Sequence, residues 1–518
     1  MRRFQLCEQL RWKKPQGLPP CLSYRVSTQR IWARIILCAS LSSAYLFRRV
    51  EGLASLNSWT SELPATTLQS PPPRCYFATC IPGLENTLAQ ELESLGAHDI
   101  QIAKSGVHFS EAPSKVSDEA DIDPLTGTTL SMEVGLRALL WLRTAHRVME
   151  LIASSVETNY VISNKEELYD FVQQSCDVRS LLGDGKGGML SLAVKVTLGG
   201  RAPKELCHTH YTALTVKNAL VDACRNLRDD GSRPDVDILN PQVPLVVALK
   251  SENDANTVSA SIYRCLNGFD SMHKRGYRAN TTIHKAAMKE SMAAGLLLEA
   301  GWHKLVDQAK RDGFPAILCD PMMGSGTFPI EAALIASDIA PGLLRMRMFK
   351  ALPPAIRWKS CENAALWKTL CLEAQRREQA GRQWLVGSNA NNRNCLIMGN
   401  EINPSALQLA TDCMKSANLL ECISTSNLDC SQWNIQLLDG RSIVVVNPPW
   451  GLRLEDGIEA SWESLKAFLR TQCVGSEAWV LSGNKDATRF LRLKKSRSVP
   501  LNTASETLRW LQYHIFYR

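Results

Sequence analysis

Beyond Asn267 the chain alternates short apolar runs with segments in which apolar residues recur at helical spacing. The runs predict buried strands, and the spaced segments predict helices that cover them. Regular alternation of this kind predicts a doubly wound α/β domain. The predicted strands are 316–319, 395–398, a weak strand 423–427, 443–446 and 478–481, and the predicted helices are 285–300, 330–337, 404–417 and 462–471.

Residues 75–268 mix the two patterns without that regularity, which predicts an α+β region. Strand-like runs at 75–79 and 105–109 flank a helix that Gly96 ends. Its leucines recur every three or four positions, at Leu84, Leu88, Leu92 and Leu95. A second helix is predicted to carry leucines from Leu136 onward and to continue as far as Val148. The sequence thus predicts an α+β region at 75–268 and an α/β domain at 269–518.

Composition adds a leader to these two regions. The 518 residues are 45% hydrophobic and have a formal charge of +8. Residues 1–50 contain ten Lys or Arg and one acid, so they hold +9 and the rest of the chain holds about −1. The overall charge therefore does not argue for nucleic acid, and RNA binding would need local patches. The 17 cysteines form no CxxC pair, which favours reduced thiols over a disulfide framework.

Residues 1–74 are Arg-rich and acid-poor, with a Ser/Thr/Pro-rich stretch at 58–73. This composition predicts an organelle transit peptide and a disordered linker. A chloroplast address is favoured, with the mitochondrion as the alternative. The apolar stretch at 35–47 is short for a membrane span. A non-functional upstream extension ranks second and a membrane anchor third.

The first candidate binding loop follows the predicted strand 316–319. It begins at Asp320 and ends in Gly324-Ser325-Gly326-Thr327, where a helix is predicted to start. Two glycines let the backbone turn sharply and approach a ligand closely. The third glycine of a pyrophosphate fingerprint and the Walker lysine are both missing. The loop therefore favours a nucleoside ligand without a pyrophosphate, such as S-adenosylmethionine, over a nicotinamide dinucleotide.

Acidic residues follow the next two predicted strands. Glu401 comes after 395–398, where a carboxylate can accept hydrogen bonds from ribose hydroxyls. Asp429 follows the weak strand and could accept from the adenine amino group, although Asp439 competes for that role. The Cys207-His208-Thr209-His210 cluster has no second ligand pair at zinc spacing, so no metal site is predicted.

The second candidate loop is Asn447-Pro448-Pro449-Trp450, directly after the run 443–446. Consecutive prolines restrict the backbone and hold Asn447 extended. Its side-chain carbonyl and the Pro448 main-chain carbonyl could then face one exocyclic amine, with Trp450 as a stacking surface for the base. The two loops together predict methyl transfer to a base nitrogen.

With these segments in place, the chain resembles the THUMP-domain RNA methylases, closest to the bacterial-type large-subunit rRNA guanine-N2 methyltransferases. The landmarks are 77–80, 82–85, 142–148, 273–278, 289–290, 320–327 and 447–454. Trp450 stands where the family more often has tyrosine. The segment 382–394 looks like an insertion before the Glu401 strand.

The resemblance implies a ferredoxin-like part plus a THUMP domain that bind structured RNA, followed by a Rossmann-like methyltransferase domain. It implies that S-adenosylmethionine is the cofactor and that Asn447, Pro448, Pro449 and Trp450 form the catalytic loop. The cofactor-binding residues are expected to be Asp320, Met322, Gly324, Ser325, Gly326, Thr327, Glu401 and Asp429.

The favoured substrate is a guanosine N2 amine in large-subunit rRNA. A tRNA guanine and a catalytically silent RNA-binding assembly factor are the alternatives. A nicotinamide-dependent oxidoreductase is disfavoured, because the diproline loop has no role in one. We expect a monomer without a membrane or metal partner.

Overall fold

The computed structural model describes residues 73–112, 131–185, 187–251, 256–278, 287–358, 361–387, 394–449, 458–503 and 506–516. The predicted leader, apart from residues 73 and 74, lies outside these ranges. Trp450 and the segment 451–457 also lie outside them. The described residues all fall within one compact unit.

The N-terminal region is built on a seven-stranded sheet of order β2-β3-β1-β4-β7-β6-β5. All its neighbouring strands are antiparallel except β5 and β6, which run parallel. Its strands are β1 Cys75–Thr79, β2 His98–Ala103, β3 Gly106–Ser110, β4 Arg147–Ser154, β5 Leu192–Gly199, β6 Val243–Ser251 and β7 Val258–Cys265. Its helices are α1 Glu85–Ser94, α2 Glu133–Trp141, α3 Lys165–Ser175, α4 Val178–Leu182 and α5 Thr209–Asn226. The mixed α+β character predicted from the sequence is confirmed.

One predicted element in this region is wrong. The helix expected to reach Val148 ends at Trp141, and Arg147 and Val148 belong to β4. The leucines of the helix and the valine both face the core, so the sequence pattern does not show the break. Pairing with β1 shows that Val148 belongs to a strand, because Val148 lies opposite Ala78 in the antiparallel pair of β1 and β4. A strand at β2 was also not predicted, and its outer position leaves it largely exposed.

The C-terminal sheet has seven strands in the order β10-β9-β8-β11-β12-β14-β13. The first five are parallel, and β14 and β13 add an antiparallel edge. The strands are β8 Ala316–Asp320, β9 Cys395–Asn400, β10 Ile423–Ser426, β11 Ser442–Val446, β12 Glu477–Ser482, β13 Lys495–Asn502 and β14 Thr507–His514. The helices are α6 Glu290–Glu299, α7 Trp302–Asp312, α8 Thr327–Ala336, α9 Pro341–Phe349, α10 Cys361–Val386, α11 Pro404–Ser416 and α12 Ile458–Gln472.

This arrangement confirms the Rossmann-like α/β fold, because the strand order reverses direction between β8 and β11. Several features were absent from the sequence prediction: the helices α7, α9 and the 26-residue α10, and the β13–β14 hairpin. The predicted insertion begins inside α10, which ends at Val386. The hairpin follows the parallel strands rather than alternating with helices, so an alternation rule does not find it.

Buried polar groups join the two sheets' regions. The Arg143 guanidinium, at the end of α2, donates from Nη2 to the Ile339 carbonyl at 3.0 Å, just after α8. Arg275 donates in turn to the Arg143 carbonyl, and its Nε lies 3.6 Å from Glu331 on α8. All three charged side chains are buried. The N-terminal region therefore contacts α8 and the residues just after it through specific polar groups.

The cysteines whose side chains the structure describes are reduced, and all but Cys75 and Cys207 are buried. Among the helices that the structure describes, no single one is long and apolar enough to cross a membrane. One bent pair, Thr327–Ala336 with Pro341–Phe349, passes that test of length and composition only when the two helices are taken together, at an angle of 115°.

Candidate active site at the carboxyl rim of the second sheet

Four neighbouring strands end at one rim of the C-terminal sheet, and each carries a predicted site residue. Asp320 is the last residue of β8, Glu401 follows β9, Asp429 follows β10 and Asn447 follows β11. The strands β10, β9, β8 and β11 are adjacent and parallel. The glycine loop and the diproline loop thus meet at the edge where open α/β sheets bind ligands.

The glycine loop turns as its composition predicts. Gly324 and Gly326 have φ of +55° and +76°, a region that favours glycine. A Cβ on Gly326 would lie 3.1 Å from the Ala410 Cβ, so this glycine lets α8 start close to α11. A Cβ on Gly324 would meet nothing within 4 Å, so the loop's outer side is open to a ligand.

Glu401 closes the other side of this loop. Its Oε2 accepts from the Gly324 N–H at 2.9 Å, and its Oε1 accepts from the Asn403 N–H at 2.9 Å. A carboxylate can accept about four hydrogen bonds, so two backbone donors leave capacity for ligand hydroxyls. The side chain is partly exposed at the rim, as a ribose ligand would require.

Asp320 is almost fully buried, and its Oδ1 accepts from the Met322 N–H at 3.1 Å. Burial raises the pKa of Asp320 well above its ordinary value of 3.8, and the Glu401 carboxylate raises it further. A buried carboxylate facing another acid is stabilised by a cationic ligand. The ammonium and sulfonium groups of S-adenosylmethionine supply that charge, so these residues fit this cofactor.

The two competing aspartates are separated by the fold. Asp429 lies at the carboxyl rim after β10, where Ser431 N–H and Ser464 Oγ donate to it at 2.8 and 3.3 Å. Partial burial works against its ionised form, but the hydrogen bonds from Ser431 and Ser464 outweigh it and lower the Asp429 pKa. Asp439 lies before β11, at the amino end of the strand and hence at the opposite edge. The geometry therefore favours Asp429 as the acid near the adenine position.

The diproline loop leaves a strand whose residues are all buried. Its Pro449 carbonyl accepts from the Trp462 indole N–H at 2.7 Å. Trp462 belongs to α12 and is fully buried, so it anchors the loop to a rigid helix. Trp450 lies outside the described residues, so its stacking role stays a prediction.

Arg278 is a site residue that sequence reasoning did not single out. Its Nη2 donates to the Ser325 hydroxyl at 3.3 Å and to the Thr327 hydroxyl, and its Nη1 donates to the Met288 carbonyl at 2.9 Å. The guanidinium thus holds the end of the glycine loop in place through the hydroxyls of Ser325 and Thr327. The signal available was the basic segment 273–278, which the family resemblance marked without giving Arg278 a role.

Within the described part of the chain, no group of three or more His, Cys, Asp or Glu side chains is placed to hold a metal ion. The rim instead offers carboxylates, main-chain N–H groups and an amide after a buried strand. This set suits an organic cationic cofactor beside a base amine. Together with the Rossmann-like sheet, it indicates the site of a methyltransferase that uses a nucleoside cofactor.

Comparison with known proteins agrees with this class. Residues 275–512 match the family described as RMKL-like, methyltransferase domain, and residues 76–115 match the RlmL ferredoxin-like domain. These matches confirm the resemblance seen in the sequence, because they place an RMKL-like methyltransferase domain after an RlmL ferredoxin-like domain. They also confirm S-adenosylmethionine as the cofactor.

Similar proteins include the ribosomal RNA large subunit methyltransferases K/L of Syntrophotalea carbinolica and Pseudomonas entomophila. The first is 31% identical over 85% of this chain and 53% of its own length, and the second is 32% identical over 81% and 50%. The chain therefore spans about half the length of these relatives. The structure of SMU.472 complexed with SAH has the same fold, with a TM-score of 0.64, 20% identity, and coverage of 86% of this chain and 99% of that one.

Asp320→Asn is expected to stabilise the ligand-free chain at pH 7 and to weaken cofactor binding. The folded-state pKa of Asp320 lies above 3.8, so its stabilising contribution is full below pH 3.8 and is lost as pH rises through the folded pKa. We expect the thermal midpoint at pH 7 to rise by about 2–4 °C. Calorimetry should show cofactor affinity reduced by roughly tenfold or more.

Asp412→Asn, at a partly exposed position on α11, is the control for the loss of one negative charge. It should change neither the thermal midpoint nor the cofactor affinity. The thermal gain in Asp320→Asn should shrink as the pH is lowered toward 3.8. A variant that loses stability at pH 7, or that binds the cofactor as the wild type does, contradicts the role given to Asp320.

Proposed function

We propose that this protein is an S-adenosylmethionine-dependent RNA methyltransferase that methylates the exocyclic N2 amine of a guanosine in large-subunit rRNA. The observation that carries the proposal is the meeting of the glycine loop and the Asn447–Pro449 loop at one rim, on adjacent parallel strands. The K/L relatives are ribosomal RNA large subunit methyltransferases, which supports rRNA as the substrate class.

The residues at the rim have separable tasks. Asp320, Met322, the 324–327 loop, Glu401 and Asp429 would hold the cofactor, which supplies an electrophilic methyl group when bound. The side-chain carbonyl of Asn447 and the main-chain carbonyl of Pro448 would accept hydrogen bonds from the two amine protons. These acceptors would orient the nitrogen for attack. As the N–C bond to the methyl group forms, the bond from that methyl group to sulfur would break, and the nitrogen would release one proton to water.

The target base must leave its stack to reach this rim, so an unpaired or loop guanosine is expected. Trp450 would give the base a stacking surface. The N-terminal region, through its ferredoxin-like part and the proposed THUMP domain, would hold the structured RNA. A monomer would suffice, since the proposed residues all come from one chain.

The test compares RNA from cells with and without the protein. Mass spectrometry of nucleosides from organellar and cytosolic rRNA, and from tRNA, should show N2-methylguanosine lost from large-subunit rRNA only. Loss confined to tRNA would favour the tRNA alternative. Unchanged methylation of every guanosine, in a chain that still binds RNA but not the cofactor by calorimetry, would instead indicate a silent assembly factor.

We further propose that residues 1–74 direct the protein to an organelle, with the chloroplast favoured over the mitochondrion. The Arg-rich, acid-poor composition supports this proposal. A fluorescent fusion of residues 1–75 in plant cells should accumulate in chloroplasts. Signal in mitochondria would support the alternative address, and diffuse signal would reject a targeting role.

A further inference from the structure

We propose that Asn400 is a positioning residue for the cofactor site, because its side-chain amide ties together the three strand ends that carry Asp320, Glu401 and Asp429. The inference rests on the proposed cofactor function of this rim. It concerns a residue whose side chain points into the protein and contacts backbone groups beneath the rim.

The amide makes three hydrogen bonds from a buried position, with 1% of Asn400 exposed. Its Nδ2 donates to the Pro321 carbonyl at 3.1 Å and to the Leu428 carbonyl at 2.9 Å. Its Oδ1 accepts from the Leu428 N–H at 3.1 Å. The side-chain amide therefore makes a two-way pair of hydrogen bonds with the Leu428 backbone, as a neighbouring strand would. The second N–H of the same Nδ2 group bonds to the Pro321 carbonyl in the loop after β8.

Each of these backbone groups is next to a predicted cofactor-binding acid. Pro321 follows Asp320, Leu428 precedes Asp429, and Asn400 itself precedes Glu401. The strand β9 lies between β8 and β10, so a side chain at its end can reach both neighbours. One amide thereby sets the spacing of three carboxylates that have to contact separate parts of one ligand.

Only an amide supplies this set of bonds in the available space. Aspartate has nearly the same shape but would point an acceptor at two carbonyl oxygens, and it would add a negative charge beside Asp320. Leucine, of similar size, would remove the hydrogen bonds to the Pro321 carbonyl and to the Leu428 carbonyl and N–H, and it would replace none of them. A protonated aspartic acid restores one donor, so the aspartate variant should recover part of the function at low pH.

The experiment measures S-adenosylhomocysteine binding by calorimetry, and kcat at saturating cofactor, for wild type, Asn400→Asp and Asn400→Leu. Each variant should bind at least about tenfold more weakly at pH 8, as expected when buried groups lose partners. The kcat should stay within about threefold of wild type, because the Asn447 loop is on another strand. At pH 5.5 the affinity of Asn400→Asp, relative to wild type at that pH, should recover, and that of Asn400→Leu should not.

Asn267 provides a matched control. This asparagine is 8% exposed, donates to the Gly268 and Asp270 carbonyls at 3.3 and 2.7 Å, and accepts from the Val148 N–H at 3.0 Å. It makes the same three kinds of bond in the N-terminal region, away from the rim. Asn267→Asp should lower the thermal midpoint about as much as Asn400→Asp does, but it should not change cofactor affinity.

Hydrogen exchange on the wild type gives a readout that needs no variant to fold. The Leu428 amide should exchange slowly in the ligand-free chain, because it donates to Asn400. Rapid exchange there, wild-type affinity in both Asn400 variants, or an equal loss in Asn267→Asp would overturn the inference. A wild-type chain that does not bind S-adenosylhomocysteine would overturn the proposed function itself.

Discussion

Replacing Asn447 by alanine is expected to lower kcat by on the order of 10²–10³-fold, the size of effect seen when one preorganised hydrogen-bonding group is removed. Asn447 follows the fully buried strand β11 and precedes two prolines, so the backbone presents it in one conformation. The loop is held further by the hydrogen bond from Trp462 to Pro449. In the proposed mechanism the lost carbonyl would act on the base amine during transfer and not on the cofactor.

Cofactor affinity should therefore stay within about twofold of wild type, since only the transition state loses an interaction. Single-turnover methylation of target RNA and calorimetry with S-adenosylmethionine separate the two quantities. Asn434→Ala, which removes an exposed asparagine in the same domain, is the matched control and should leave both unchanged. A variant with near-normal turnover, or with a large loss of cofactor binding, would contradict the assignment.

Glu150→Gln is expected to cost roughly 3–5 kcal/mol of unfolding free energy at pH 7, the range for breaking a buried ion pair by changing one partner. Glu150 is buried on β4, where it accepts from Arg264 Nε and Nη2 at 3.0 and 2.6 Å and from Arg74. Glutamine keeps the shape but leaves two largely buried guanidinium groups without their counter-charge. Urea unfolding followed by circular dichroism measures the change.

The pH dependence identifies the cause. Burial alone would raise the pKa of Glu150, but Arg264 and Arg74 outweigh it and lower the pKa below the ordinary 4.5. The stabilising contribution is thus present above pH 4.5 and is lost as pH falls through the folded-state pKa. The difference in unfolding free energy between Glu150→Gln and the wild type should shrink as the pH falls below 4.5. Asp486→Asn, in the exposed Arg489 pair, should cost less than about 1 kcal/mol at any pH.

Local sequence signals predicted much of the second sheet. The predicted strand 443–446 differs from β11 by one residue, because four consecutive β-branched residues ending at a diproline allow little else. The predicted helix 330–337 began three residues late. Its true start at Thr327 follows Gly326 in a left-handed conformation, which glycine identity permits but does not require.

The errors arose where two structures share one pattern. Leu136 through Val148 reads as one apolar stripe, yet it is a helix followed by a strand that pairs with β1. The hairpin β13–β14 depends on pairing with β12, which local patterning does not encode. The sequence left open whether Asp429 or Asp439 lies near the adenine position, since both flank predicted strands. To choose between them, one has to know at which edge of the sheet each aspartate lies.

The sequence by itself determined the five parallel strands of the second sheet, the two loops at their ends and the chemistry that the residue types of those loops can support. Backbone restriction by proline, backbone freedom at glycine and apolar periodicity are local properties, so they are legible along the chain. The tertiary structure alone decided which strand ends are neighbours, that Asn400 links three of them, and that Glu150 meets Arg74 and Arg264. Those contacts join residues far apart in the chain, and they are fixed by sheet order and burial rather than by any local preference.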